Sequence, residues 1–487
     1  MIQNAQPILK KTFRLSLLAA GFAACLTACS FQKYIPKPID TQANSAKFEL
    51  RDPVSEQFHQ YLLSNGYPAD RLPIQQWGLN ELTYCALFFH PSLDLARAQW
   101  RTAEISELAA AEKPIPSVNS SIAHSNQANE DINPFAFGLS IDLPIETANK
   151  RDIRIENARH LSEAAKLEIA QSAWQLRYQL AQSLYDYQFN QQEVKLLSDE
   201  ETRRKEIVAI YQKRVDLGLA SNVELSSAQL QLLTTSSELE SKQQGKLLLL
   251  AKLANNLGLP IAKIETMNLA SSPLETIPQN QMMPADLQAT ALLNRLDIRI
   301  ALQRYAAAES KLKLEIAKQY PDITISPGYA YEFGDRIWSL GISGLLTLLN
   351  KNKVGIAEAT QLREVEAAQF EALQTKVISD ANIAKAELLQ AQQVLASQQQ
   401  LHAQQQQNTQ RLQHRLTIGE IDRLELAFAK LESIAAEKNV ALASFKRDVA
   451  INELENTLQQ PLSATLNNPD IEDLSFKKTI NYEDNKK

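Results

Sequence analysis

Residues 214–228 read RVDLGLASNVELSSA, and residues 415–429 read RLTIGEIDRLELAFA. Arg, Gly, the Glu-Leu pair and the closing Ala recur at a constant offset of 201, so the chain contains an internal repeat. The same offset pairs Leu139 with Leu340, Ile141 with Ile342, Asn149-Lys150 with Asn350-Lys351, Ile155 with Ile356 and Ala158 with Ala359. Upstream, Asp94 corresponds to Asp297 at an offset of 203 and Pro116 to Pro321 at 205, which puts small length differences near the stretches that alternate like strands.

Outward from the two tips, the sequence has no Gly or Pro from Asn149 to Leu217, nor from Ile356 to Ile418. Nothing there interrupts a helix, and the first would span roughly 100 Å. Ile155, Ala158, Leu161, Ala165 and Ile169 recur at three- and four-residue spacing, the mark of a seam for neighbouring helices. Return helices near 222–257 and 423–459 are shorter, and opening helices near 91–113 and 285–318 make up the difference. Gly218 and Gly419 each end a long helix and can supply the positive φ that reverses the chain.

Between opening and long helices the period changes from helical to two. Phe135, Phe137, Leu139, Ile141 and Leu143 alternate with Ala136, Gly138, Ser140 and Asp142. In the second repeat Ile323, Ile325, Tyr329, Tyr331 and Phe333, then Trp338, Leu340 and Ile342, alternate with small or polar residues. Such strands have the length of tilted bilayer crossings. This register turns Phe137, Leu139, Ile141, Tyr329, Tyr331, Trp338 and Leu340 toward lipid, and Ser140 and Gly341 toward a lumen. Four strands cannot close a barrel, and lipid tolerates no open edge, so several protomers must pool their strands; three would supply twelve.

The ends and composition narrow the class. Lys10, Lys11 and Arg14 precede an uncharged apolar run, Leu15 to Ala28, laid out as a secretory signal and too short to span a bilayer. Leu26-Thr27-Ala28-Cys29 reads as a bacterial lipobox, which makes Cys29 the acylated, palmitate-bearing first residue of the mature chain, and Ser30 favours sorting to the outer membrane. Removing 1–28 takes away three positive charges and moves the balance from −6 to −9, which argues against nucleic acid as a partner. Cys85 then has no intramolecular partner and is read as a buried, inert thiol. The six histidines form no pair at metal-ligand spacing, and there is no phosphate-binding Gly-rich loop. No catalytic residue, resident metal or cofactor is expected.

The segments therefore fall as a signal over 1–28 and an extended linker over 29–78. A first repeat over 79–258 has strands near 117–126 and 135–144 and a hairpin over 149–257. An inter-repeat linker over 259–284 leads to a second repeat over 285–461, with strands near 322–333 and 336–346 and a hairpin over 351–459. Residues 462–487 form a polar tail.

Leu79-Asn80-Glu81-Leu82-Thr83, His90-Pro91-Ser92-Leu93, the joint Leu143-Pro144-Ile145-Glu146 with Asn149-Lys150-Arg151, and Leu349-Asn350-Lys351-Asn352 with Ile356-Ala357-Glu358-Ala359 resemble the TolC-like outer-membrane efflux protein family. In motifs they are nearest its CzcC-like heavy-metal-efflux branch, and the likeness runs from about Trp77 onward. It implies a mainly α fold with transmembrane β: a homotrimer whose twelve-stranded barrel sits in outer-membrane lipid above a periplasmic helical barrel. It further implies a passive conduit for metal cations or small toxic molecules, docked at its tip to a periplasmic adaptor and an inner-membrane pump of the RND type. An acid six residues past the tip glycine belongs to the family's gate, which carries over to Glu224 and Glu425, with Asp422 in addition; Ser227 and Phe428 stand where a second acid is common. Two rival readings are a periplasmic adaptor lipoprotein of the same pumps and a lipid-anchored periplasmic scaffold. An adaptor should show one hairpin between β-rich flanks, whereas this chain shows two.

Overall fold

The fold comes from a computed structural model, which describes residues 32–126, 133–270, 287–344, 350–462 and 470–476. The chain divides into two units, one reaching Leu50 and the other starting at Arg51. In the first unit, α1 (Thr41–Glu49) is capped by the Asp40 carboxylate, which accepts from Ala43 N at 2.9 Å, and α1 buries no residue.

The second unit contains, in chain order, α2 (Glu56–Ser64), α3 (Leu79–Phe89), α4 (Pro91–Ala110), β1 (Ser117–His124), β2 (Phe135–Ile145), α5 (Lys150–Asp216), α6 (Asn222–Leu257) and α7 (Ile261–Glu265). The second repeat follows as α8 (Leu287–Asn294), α9 (Leu296–Ala317), β3 (Ile323–Glu332), β4 (Asp335–Gly344), α10 (Lys353–Thr417) and α11 (Arg423–Leu458), with α12 (Ile471–Phe476) near the end. The architecture is thus mainly helical with one small antiparallel sheet, the class read from the sequence. Long α5 and α10 each fold back through a Gly turn onto α6 and α11.

Two cores hold the repeats. In the first, Ala170, Ala173, Leu180 and Leu184 of α5 pack with Leu253 and Leu257 of α6. In the second, Val377, Ala381, Ala384 and Leu388 of α10 pack with Ile451, Leu454 and Leu458 of α11 and with Ala291 and Ile298. Gly258 closes α6 at φ +67, and a Cβ there would lie 2.9 Å from His90 Cα, so the chain passes α3 and α4 only because this residue has no side chain. Cys85 is fully buried in the first core, and burial pushes its thiol up, away from the reactive thiolate.

Three expectations are corrected. Within the expected linker over 29–78, residues 51–78 are not extended: α2 sends Phe58, Tyr61 and Leu62 into the first core, where Phe58 packs on Trp77 and Phe89. Aromatic burial outweighs the polar composition of the segment. The stretch 259–284 holds α7, with Leu259 and Ile264 buried, and Leu269 pairs with Trp77 in a parallel bridge. The polar tail over 462–487 includes α12, whose Ile471 and Leu474 fill the same core. A fourth correction concerns the repeat register. Both long helices begin after a left-handed pair, Ala148-Asn149 and Lys351-Asn352, so Asn149 matches Asn352 rather than Asn350. This pair turns the chain out of the strand, and it decides where the helix starts.

Candidate functional site

The strands form a sheet in the order β1-β2-β3-β4, antiparallel throughout. Leu139 stands opposite Tyr329, Tyr329 opposite Trp338, Phe137 opposite Tyr331, and Pro327 opposite Leu340. Because side chains alternate along each strand, this register puts Phe137, Leu139, Ile141, Tyr329, Tyr331, Trp338 and Leu340 on one face. It is an aromatic and aliphatic face open to its surroundings, with Trp338 82% exposed. The opposite face is small and polar. Ser140 and Gly341 lie on it, a Cβ on Gly328 would come 2.7 Å from Ser339 Oγ, and one on Gly341 would come 3.3 Å from Ser326 Cβ. Ser326 Oγ donates to Asp142 Oδ1 at 2.6 Å, and Asn119 Nδ2 donates to Asp142 Oδ2 at 2.7 Å. Among the described residues no helix is long and apolar enough to cross a membrane, whereas the sheet carries an apolar face of the required strand length.

The sheet is tied to the helices at their first turn. Lys150 Nζ donates to Tyr320 O at 2.6 Å and to Asp322 Oδ1 at 2.8 Å, Thr147 N donates to the same carboxylate, and Arg154 pairs with Glu146. In the second repeat Asn352 Nδ2 donates to Glu315 O at 2.8 Å.

The opposite end of the hairpins holds the expected gate residues. Gly218 and Gly419 adopt φ +73 and +79, and Leu219 N→Arg214 O and Glu420 N→Arg415 O close the same turn in both repeats. From there the repeats differ. Ser221 caps α6, and Glu224 completes the box by accepting from Ser221 N at 2.8 Å and Ser221 Oγ at 2.9 Å. These hydrogen bonds, backbone first, hold the Glu224 carboxyl below the usual carboxylate range. In the second repeat Asp422 is the cap, accepting from Leu424 N and Glu425 N, and its other oxygen meets Arg214 of the first repeat at 2.7 Å. The Glu425 amide and then Arg214 lower the Asp422 carboxyl. Glu425 is exposed, and among the described residues its carboxylate makes no hydrogen bond or ion pair. The structure thus joins Asp422 to Arg214 and leaves Glu224 and Glu425 on separate helix starts. Arg214 opens the repeated stretch, but a sequence cannot show that its partner sits in the other repeat. Cys29 lies outside the described residues.

Between tip and sheet, α11 lies along α5 through a row of specific contacts. Lys438 pairs with Glu200, the Phe189 and Phe445 rings stack at 4.7 Å, Asn452 Nδ2 donates to Tyr178 O at 3.1 Å, and Arg177 meets Glu455 at 2.7 Å. Burial pushes the Glu200 carboxyl up, but hydrogen bonds from Lys438 and Arg204 outweigh it and leave it low. Buried Asp448, by contrast, is raised by desolvation despite its Arg447 partner. Among the described residues no group of three or more His, Cys, Asp or Glu is placed to hold a metal ion.

Comparison with known proteins agrees with this geometry. The family model described as "Outer membrane efflux protein" matches residues 83–259. The cobalt-zinc-cadmium resistance protein CzcC of Cupriavidus metallidurans is 25% identical over 255 residues, half of this chain. The chain spans 58% of the length of that curated relative. The outer-membrane channel OprN superposes with a TM-score of 0.65 at 19% identity, covering 89% of this chain and 99% of that one. CusC gives 0.64 at 17%, covering 88% and 99%, and VceC of Vibrio cholerae gives 0.65 at 17%, covering 79% and 97%. At these identities the likeness to solved structures is one of fold. Residues 83–259 are thus similar to the outer membrane efflux protein family, and the solved structures share the fold over most of the chain.

Proposed function

We propose that this chain is the outer-membrane channel subunit of a tripartite efflux pump, working as a homotrimer without catalysing a reaction. The observation that carries the reading is the four-stranded sheet, apolar on one face and polar on the other, set on two long helical hairpins. Among the described residues its outer strands β1 and β4 each pair on one side only, with β2 and β3, and leave their other edges open. An open edge is not stable in lipid, so copies of the chain must complete it, and three copies supply twelve strands. The apolar face meets the hydrocarbon and the Ser- and Gly-rich face lines the conduit. Cys29 carries the lipid anchor in the outer membrane, and the helices extend into the periplasm, where the tip meets an adaptor and an inner-membrane pump of the RND type that supplies the energy. The name of the CzcC relative supports metal cations as cargo, conducted rather than ligated, beside the broader class of small toxic molecules.

The test is fractionation of cells making the full chain. Outer-membrane recovery that resists urea, a trimer band in SDS that collapses to monomer on heating, and an acylated Cys29 peptide by mass spectrometry are the expected results. A urea-extractable monomer would contradict the channel reading, and an unmodified Cys29 would remove the anchor alone.

A further inference from the structure

The charges of the sheet are sorted by face. Ala136 stands opposite Glu332 and Glu332 opposite Asp335, so both acids join Asp142 on the small, polar face. One residue along, Phe137 stands opposite Tyr331 and Tyr331 opposite Arg336, which puts the guanidinium on the apolar face. Of the Asp, Glu, Lys and Arg residues in the described strands, the acids therefore all lie on the polar face, and Arg336, the one base, lies on the other. A face that only had to meet hydrocarbon would carry no charge, so Arg336 must answer to something else.

Arg336 sits at the rim away from the helices. β2 and β3 meet the helical part at Ile145 and Ile323, and β3 turns into β4 at the other end through Phe333 and Gly334, both at positive φ. From Gly344 to Arg336 the strand climbs roughly 20 Å at the usual rise and tilt, most of the depth of a hydrocarbon layer. Aromatic rings lie beside and beneath it: Tyr331 packs on Phe137 with centroids 5.9 Å apart, and Tyr329 on Trp338 at 4.9 Å. Such rings mark a membrane–water interface, where a charge on the lipid face costs least. Arg336 is exposed, and among the described residues its guanidinium makes no hydrogen bond or ion pair. His124, on the same face through its pairing with Phe135, reaches the same rim at the far edge of the sheet. When copies close the barrel, β4 of one lies beside β1 of the next, so Arg336 and the partner subunit's His124 share one stretch of rim.

We propose that Arg336 binds the phosphate of a lipid in the exterior leaflet, one lipid for each protomer, with the acyl chains laid along Trp338, Tyr329 and Leu340. The inference rests on the channel reading above, which sets the helices in the periplasm and the β3–β4 turn outside. A planar guanidinium offers a phosphate two parallel donors, and the contact strengthens where lipid excludes water. The partner subunit's His124 brings a ring nitrogen to the same headgroup. With acids toward the conduit and the base toward lipid, an anionic headgroup is drawn to the outside of the barrel and repelled from its mouth.

Native mass spectrometry of the purified full-length trimer, with lipid A as the probe, tests this. The wild type should take up one lipid A per protomer. Arg336→Gln, at an exposed site, should still assemble but bind about tenfold more weakly, and Arg336→Lys should fall between, since a point charge replaces the planar fork. Lipid A stripped of its phosphates should bind the wild type no better than intact lipid A binds Arg336→Gln, and an excess of inorganic phosphate should not displace the intact lipid. Equal binding by wild type and Arg336→Gln, both trimeric, would overturn the lipid site and leave the channel standing. Displacement by inorganic phosphate would make this a site for a free anion and also overturn the proposal. A chain recovered as a urea-extractable monomer would overturn the channel reading and the lipid site with it.

Discussion

Arg177 and Glu455 meet at 2.7 Å with 4% and 2% of their side chains exposed, and through them each repeat holds the other. The guanidinium also lies over the Trp174 ring at 5.5 Å. Two charges so fully removed from water are stable only as a pair. Glu455→Ala should lower the stability of the purified protein by about 3–5 kcal/mol, because it strands Arg177. The double change Arg177→Ile with Glu455→Ala, the residues at the corresponding positions of the other repeat, should restore most of that loss. Urea unfolding followed by circular dichroism measures both, and a double variant no better than Glu455→Ala alone would refute the pairing.

The Asp422 cap titrates with a defined sign. Its folded pKa lies below the ordinary carboxylate value, so the stability it adds is complete above that value, about 4, and is lost as pH falls through the lower folded pKa. Asp422→Ala should cost about 0.5–2 kcal/mol at pH 7, the usual range for a lost N-cap, and progressively less in acid. Unfolding midpoints of the two proteins compared from pH 7 to pH 3 check this; a difference that grows in acid has the wrong sign.

Leu139 and Ser140 are neighbours on opposite faces of β2. Leu139→Arg places a charge on the apolar face and should cost about 2–4 kcal/mol near mid-bilayer, whereas Ser140→Arg enters the polar face and should be tolerated. Trimer yield in the outer membrane reads the difference, and equal yields would mean that the faces have been assigned wrongly.

How much of this was legible without coordinates depended on range. Period-two alternation from Phe135 to Leu143 and the Gly- and Pro-free run from Asn149 to Leu217 are local, and the fold class followed from them. Phe58 and Ile471 carry no periodic signal; Phe58 is buried by Trp77 and Phe89 from the segments that follow it, and Ile471 fills a core built by the first repeat, hundreds of residues away. The tip turns at Gly218 and Gly419 could be read because a reversal needs a positive φ. The partnership of Arg214 with Asp422 could not, because it depends on how one repeat seats against the other.

Glu224 and Glu425 occupy equivalent positions but not equivalent environments. The first is engaged by Ser221 and the second is not so held. Glu425→Gln should therefore reduce the cation preference of the pore more than Glu224→Gln does. Reversal potentials in a salt gradient separate them, and equal effects would show that the capping box has no influence on the charge offered to the conduit.

The central claim is tested most directly by recording from the purified full-length trimer in planar lipid bilayers, as wild type and as Arg214→Gln. Discrete conductance steps are predicted for the wild type, with larger steps once the link to Asp422 is removed. Bilayers that stay silent with both proteins, each shown to be folded and trimeric, would contradict the assignment of this chain as a channel.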